Sequence, residues 1–291
     1  MPKLDNNEYS EADIDALFVR TLTDDPEDDG RWEAINSLRR AGGRLIFDRA
    51  LAWCNSGDSR KQLSGVDIVA QIGKTVEHPV TDYADESYPI VETLLLGNPS
   101  DEMKSSCIAA LSHLENSAAI PLICSFRGDS DPEIRLSVAH ALGGFSLMND
   151  HQAIDALLEL MRDEDERVRD WATFGLGVLG DADSPTIREA LLERLSDNYP
   201  DAREEAMVAL AKRKDLRALR ILTELLQAEP ILDCAEEAAC YLLDLEKADN
   251  HKTAAELLVE LHSRYGESKD GQVLITAAVP DNPAGRPSDP A

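Results

Sequence analysis

Apolar residues recur along the chain at helical spacing, and one helix is repeated three times at intervals of 34 residues. The copies are 131–142 (DPEIRLSVAHAL), 165–176 (DERVRDWATFGL) and 199–210 (YPDAREEAMVAL). Counted from the arginine in each copy, apolar residues stand at positions −1, +3 and +7, and a small residue stands at +6. These positions share one face of a helix with 3.6 residues per turn.

The starts of the predicted helices carry capping residues. Asp131 suits the N-cap, and Pro132 suits the first helical position, where its missing N–H costs nothing. Ser184 and Pro185 mark another start in the same way. Each repeated helix also follows a helix with its own apolar stripe, for example Ile154, Leu157, Leu158 and Met161. The repeat is therefore a helical hairpin of about 31 to 34 residues.

These hairpins predict an all-α fold, a right-handed α-solenoid of about seven helical-hairpin repeats. Each repeat packs against its neighbours, so a chain of 291 residues forms one array without one large core. We expect the solenoid to cover residues 1–265, with its clearest repeats at 118–249. Residues 266–291 are rich in helix-breaking proline and predict a disordered C-terminal tail.

The charge balance narrows the choice of partner. The net charge is −27, from 56 acidic and 29 basic residues. Nucleic-acid binding depends on lysine and arginine displacing counterions, so this balance disfavours nucleic acid, and it disfavours anionic membranes for the same reason. It favours attraction of a basic protein. The alternative is that the charge only maintains solubility.

Cysteine usage and the N-terminus predict a cytoplasmic protein. The five cysteines are odd in number, form no C-x-x-C motif and mostly sit in apolar helical stretches. This is typical of reduced thiols. The first residues have neither a basic region nor an apolar run, and no stretch approaches the roughly 20 apolar residues that span a bilayer.

The segments 130–145 and 165–181 resemble HEAT repeats, in particular the bacterial HEAT-like repeats of phycobilisome bilin lyases. The residues that carry the resemblance are Ser130 to Arg135 with Ala141-Leu142-Gly143, and Glu166 to Arg169 with Gly175-Leu176-Gly177. The resemblance implies a curved superhelix whose second helices line a concave surface that holds another macromolecule.

If second helices line that surface, positions +2, +5 and +9 of the repeat point towards a partner. The candidate partner-binding residues are His140, Trp171, Phe174, Val178, Glu205, Val208, Glu237 and Asp244. Aromatic anchors dominate many protein interfaces, and nearby acids suit a basic partner. The alternative is that Trp171 and Phe174 pack against adjacent first helices.

We expect structural roles for the other tryptophans, the repeated arginines and two glycines. Trp32 and Trp53 are expected in the core or as caps. The repeated arginines, Arg135, Arg169 and Arg203, are expected to form a ladder to acids in neighbouring turns. Gly175 and Gly177 are expected to permit close helix packing.

Catalytic signals are lacking in the sequence. The six histidines are scattered, without an H-E-x-x-H motif or paired spacing for a metal, and no phosphate-binding glycine loop occurs. We expect no enzyme, no cofactor and no metal, and a bacterial protein-binding scaffold for a basic or amphipathic partner. Two alternatives are an immunity or inhibitor protein that neutralises a basic toxin and, as the resemblance implies, a bilin lyase subunit that acts on a phycobiliprotein.

Overall fold

The structure is a computed structural model that describes residues 9–23, 30–76, 78–147, 149–215, 217–218, 238 and 241. The chain divides into two compact units, Met1–Gly175 (unit 1) and Leu176–Ala291 (unit 2). The expected tail at 266–291 lies outside the described residues, so that prediction stays a prediction.

Every regular element in the described ranges is helical, which confirms the predicted all-α solenoid fold class. Within those ranges, no helix is both long and apolar enough to cross a membrane. A short 3₁₀ turn, Ser117–Ala119, precedes α7, and a π-helix, Phe174–Leu179, continues α10. The α-helices are α1 (Glu11–Arg20), α2 (Gly30–Ala41), α3 (Arg44–Cys54), α4 (Ser59–Ala70), α5 (Ala84–Leu96), α6 (Asp101–His113), α7 (Ile120–Cys124), α8 (Pro132–Ser146), α9 (His151–Leu160), α10 (Glu166–Thr173), α11 (Pro185–Arg194) and α12 (Pro200–Lys212).

Unit 1 is built from two layers of stacked helices. One layer runs α2, α4, α6, α8 and α10, with each helix packed against the next. In the other layer, α3 packs on α4, α5 on α6 and α7 on α8, while α9 contacts both α8 and α10. The arginine-led helices of the repeat, α8 and α10, therefore lie side by side in the first layer, which we call the second-helix layer.

The apolar stripe of the repeat forms the core, as its periodicity predicts. In α8 the residues at −1, +3 and +7 are Ile134, Val138 and Leu142, and none of the three is exposed. The predicted cap is also present, because Asp131 Oδ1 accepts a hydrogen bond from the backbone N–H of Glu133 at 2.9 Å. Local capping and burial thus select the same helix start.

The repeated arginines bind the turn that precedes their own helix. In each copy a guanidinium Nη1 donates to the backbone carbonyl of the aspartate six residues earlier. The bonds run from Arg135 to Asp129 at 2.9 Å, from Arg169 to Asp163 at 2.9 Å and from Arg203 to Asp197 at 2.8 Å. The arginine thereby satisfies a turn carbonyl that no helix or sheet pairs.

Arg135 also reaches the turn of the next repeat. Its Nε and Nη2 donate to the two carboxylate oxygens of Asp163 at 2.7 and 2.8 Å, and both side chains are 8% exposed. This two-pronged ion pair connects α8 to the turn before α10. The predicted ladder between repeats is confirmed at Arg135, while the bonds given above for Arg169 and Arg203 lie within their own repeats.

Gly175 permits a close approach of two helices within the second-helix layer. A Cβ atom at Gly175 would lie 2.8 Å from the Cα of Gly143, closer than two carbon atoms can pack. Ser146 of α8 also donates a hydrogen bond to the carbonyl of Gly175 at 2.6 Å. In unit 2, a Cβ atom at Gly177 would lie 2.6 Å from the Cβ of Ala209. The predicted packing role is confirmed for both glycines.

The two N-terminal tryptophans differ in how far they are buried. Trp53 packs edge-on against Phe18, with 4.8 Å between ring centroids, as expected of a core or capping residue. Trp32 is 48% exposed, so its predicted core or capping role is wrong. The buried face of α2 consists of Ala34, Ile35 and Leu38, and Trp32 lies outside that arc of the helix.

The approach of Gly175 to Gly143 gives a stability prediction. Gly175→Ala should lower the free energy of unfolding by about 1–3 kcal/mol, because the new methyl group forces two backbones apart. Gly144→Ala is the matched control, since no atom lies within 4 Å of a Cβ there and alanine favours the helix. Urea denaturation of both variants measures the difference. Equal stability of the two variants would contradict this account of the packing.

The pair between Arg135 and Asp163 gives a second prediction. Arg135→Gln leaves the Asp163 carboxylate buried without its cation, so the free energy of unfolding should fall by about 3 kcal/mol. Arg127→Gln removes the same charge from a pair with Glu159 in which both side chains are exposed, and should cost less than about 1 kcal/mol. Chemical denaturation measures the free energy of unfolding of both variants. Similar losses of stability in the two variants would show that the buried pair does not connect the repeats.

Candidate functional site

Three residues of the predicted site meet on the second-helix layer of unit 1. The ring centroids of His140 and Trp171 lie 4.6 Å apart, and those of Trp171 and Phe174 lie 5.7 Å apart with the planes at 88°. His140 comes from α8, Trp171 from α10 and Phe174 from the start of the π-helix. We call these three residues the aromatic cluster.

The cluster follows from the 34-residue repeat. His140 and Phe174 occupy the same +5 position in successive copies, so the side-by-side packing of α8 and α10 brings them near each other. Trp171 stands at +2 and contacts both rings. It is 37% exposed, His140 is also exposed and Phe174 is half-buried. Part of the cluster therefore faces solvent.

The remaining predicted site residues lie in unit 2 or outside the described residues. Val178 is half-buried, whereas Glu205 and Val208 are each only 3% exposed. The expectation that Glu205 and Val208 present a surface is corrected, because α12 is buried nearly all round rather than along one stripe. Glu237 and Asp244 lie outside the described residues.

The end of the π-helix in unit 2 is capped by cations from α12 and the residue after it. Arg213 Nη2 donates to the carbonyl of Leu176 at 2.9 Å and its Nη1 to that of Gly177 at 2.6 Å. Lys212 Nζ donates to the carbonyl of Val178 at 2.8 Å. The last carbonyls of a helix have no partner within the helix, so these bonds satisfy them.

A polar pocket of about 500 Å³ lies in unit 1 between α2 and the segment after α4. Its three cations face a single carboxylate. The lining residues are Glu33, Asn36, Ser37, Arg39, Arg40, Gln71 and Lys74. We call it the cationic pocket. The repeat pattern does not predict this pocket; the available signal in the sequence is the adjacent pair Arg39-Arg40, in a chain with about two acids per base.

The positive charges of this pocket act electrostatically on His113, the last residue of α6. Burial lowers the pKa of His113 to about 4, and the positive charges of Arg39 and Lys74 add to the effect. Desolvation also lowers the pKa of His140, although part of its ring stays exposed. Both imidazoles are therefore neutral at physiological pH. Within the described ranges, no group of three or more His, Cys, Asp or Glu side chains could hold a metal ion.

Comparison with known proteins identifies the repeat. Residues 88–177 match the family model of HEAT repeats, a range that contains Trp171 and Phe174. The protein YibA of Escherichia coli (strain K12) is 27% identical over 281 residues, covering 94% of this chain and 92% of the relative. The resemblance to HEAT repeats is thereby confirmed.

One solved structure, that of YibA, shows the same fold. The X-ray structure of YibA has a TM-score of 0.62 with 24% identity, and the match covers 91% of this chain and 90% of that one. Human deoxyhypusine hydroxylase in complex with glycerol has a TM-score of 0.36 with 15% identity, covering 92% of this chain and 95% of that one.

The lowered pKa of His113 gives a prediction for acid sensitivity. The unfolded chain takes up a proton at this residue near pH 6.5 and the folded chain near pH 4, so in between the unfolded state binds more protons. The free energy of unfolding should therefore fall on acidification, by about 2 kcal/mol between about pH 7 and about pH 5 from this group.

Urea denaturation of the wild type and of His113→Gln at both pH values isolates this contribution. The variant should lose less stability on acidification than the wild type does. His151→Gln removes an exposed histidine at the start of α9 and should lose as much as the wild type. Equal acid sensitivity of the wild type and His113→Gln would contradict the account.

Proposed function

Because this chain carries HEAT repeats, we propose that it is a non-catalytic scaffold that holds a basic or amphipathic protein segment against the aromatic cluster. The observation that carries the proposal is the exposure of Trp171 in contact with His140 and Phe174.

The chemistry of the cluster supports a protein ligand. A tryptophan at a surface offers a large rigid contact area at low entropic cost, and tryptophan is enriched among the residues that contribute most to interface affinity. His140 is held neutral by its surroundings, so it adds contact area and hydrogen-bonding capacity without a charge. The cluster therefore suits an apolar side chain of a partner.

Charge supports the basic character of the partner. The chain carries a net charge of −27. The exposed acid Glu166 begins α10, the helix that supplies Trp171, whereas nearby Glu133 and Glu164 are paired with Arg167 and Arg135. Such a surface attracts a basic segment over distances of about 10 Å at 0.1 M salt. Association should then be faster at low salt, and apolar contacts with the cluster follow.

Rigidity of the surrounding repeats supports a scaffold. The aromatic cluster spans two helices that are fixed by the approach of Gly175 to Gly143 and by the pair of Arg135 with Asp163. A surface that is already ordered before binding loses little conformational entropy when the partner arrives. The affinity that the aromatic contacts provide is therefore largely retained.

Replacement of Trp171 tests the proposal. Trp171→Ala should weaken binding of the partner by about 2 kcal/mol, or roughly 30-fold in Kd, since a central aromatic contact is lost. The partner is first isolated by affinity capture from lysate of the source cell, with wild-type protein as bait. Titration calorimetry of the purified partner then gives the affinity of each variant, and rising salt should weaken the wild-type complex.

Trp32→Ala is the matched control, because Trp32 is an exposed tryptophan on α2 of the same unit. Its loss should leave the affinity within about 0.5 kcal/mol of the wild type. Circular dichroism checks that both variants keep their helix content. A partner that binds Trp171→Ala as tightly as the wild type would refute the aromatic cluster as its binding site.

A further inference from the structure

We propose that the cationic pocket binds a small oxyanion group, a carboxylate or a phosphate. The pocket is separate from the aromatic cluster and uses none of its residues. The proposal goes beyond the scaffold function, and either can fail without the other. It rests on the geometry of α2 and of the segment that follows α4.

The two arginines of the pocket have N–H groups available for a ligand. Arg39 Nε donates to the carbonyl of Asp67 at 2.9 Å, and its Nη1 lies 3.3 Å from the amide oxygen of Asn36. Arg40 Nε donates to the carbonyl of Asn36 at 3.3 Å. In the part of the chain that the structure describes, neither arginine forms an ion pair. Each guanidinium carries five N–H donors, so most of them remain for an oxyanion.

The backbone fixes Lys74 beside these arginines. The N–H of Gly73 donates to the carbonyl of Arg39 at 2.7 Å, which ties the segment after α4 to the end of α2. Gly73 has φ +76°, a conformation that favours glycine, and a Cβ there would lie 2.3 Å from a carboxylate oxygen of Asp82. The lysine that follows is therefore held next to the arginines before any ligand arrives.

The lining has an excess of positive charge. Three cations face one carboxylate, Glu33, and that carboxylate is already paired with Arg20 at 3.0 Å. Lys74 has a similar surface pair with Glu115 at 3.0 Å, in which the glutamate is 55% exposed. Exposed pairs of this kind are weak and exchange readily, so an entering anion can compete for the lysine.

The shape and polarity of the pocket define the ligand class. A volume of about 500 Å³ admits a small organic anion or one acidic side chain of a peptide. Guanidinium groups match the planar spacing of carboxylate oxygens and the oxygens of a phosphate equally well. Asn36, Ser37 and Gln71 add neutral hydrogen-bonding groups. Both carboxylates and phosphates therefore fit these donors, and titration with each anion distinguishes them.

Fluorescence of Trp32 provides a readout, since its ring centroid lies 5.8 Å from the Arg39 guanidinium carbon. Full-length protein is titrated with inorganic phosphate and, separately, with citrate, at constant ionic strength. We expect a saturable change with a Kd of about 1 mM for at least one of them. The change should vanish in Trp32→Phe, while titration calorimetry still detects binding to that variant.

Charge variants test the location of binding. Arg40→Gln should weaken binding about 3- to 10-fold, since one charged donor group is lost. Glu33→Gln should tighten it about 2- to 5-fold, because the carboxylate that lines the pocket is removed. Arg127→Gln changes the net charge as Arg40→Gln does but lies outside the pocket, and should leave the Kd unchanged.

Each outcome decides the proposal. Saturable binding of phosphate or of citrate, weakened by Arg40→Gln and not by Arg127→Gln, supports it and names the preferred oxyanion. Absence of saturable binding of both anions to the wild type overturns it. Equal weakening by the two arginine variants also overturns it, because binding would then reflect net charge and not this pocket.

Discussion

The hydrogen bond from the repeated arginine to the turn before its own helix is the constraint on which the repeat depends. The turn must reverse the chain within a few residues and leaves backbone carbonyls without partners in a helix. Arg135 in unit 1 and Arg203 in unit 2 satisfy the carbonyl six residues upstream with nearly identical geometry. In unit 1 the same arginine then pairs with Asp163, so one side chain sets both the turn and the spacing to the next repeat.

Placement of the aromatic cluster follows from that spacing. The ion pair of Arg135 with Asp163 holds the N-terminal ends of α8 and α10 together. The contact of Gly175 with Gly143 lets the other ends of these helices approach closely. Side chains at equivalent positions in neighbouring copies are then adjacent, which brings His140 near Phe174. Without the glycine, an added methyl group would widen the gap between the helices, and the rings would lose their contact through Trp171. The packing of the repeats therefore determines which aromatic side chains meet at the surface.

Most of the fold could be predicted from the sequence, whereas only part of the candidate site could. The 34-residue period specifies which helices pack, and burial of Ile134 and Val138 follows from it. Which side of each helix stays exposed depends on what covers that helix, and a period does not contain this information. Thus Trp171 is exposed at its predicted position, while Glu205, at the +2 position of its own copy, is buried because α12 is covered nearly all round. The cationic pocket depends on the tertiary bond from Gly73 to Arg39.

The strong overall negative charge and the local cationic pocket act over different distances. At physiological salt the charges of distant acids are screened within about 8 Å, so the net charge of −27 governs the approach of a large partner more than contacts inside a pocket. Inside the pocket, three cations lie around a volume of about 500 Å³. Short hydrogen bonds from them to a bound anion would be stronger than the residual repulsion from distant carboxylates. The proposed basic partner and the proposed small anion are therefore compatible, since long-range attraction favours the first and short-range donors favour the second.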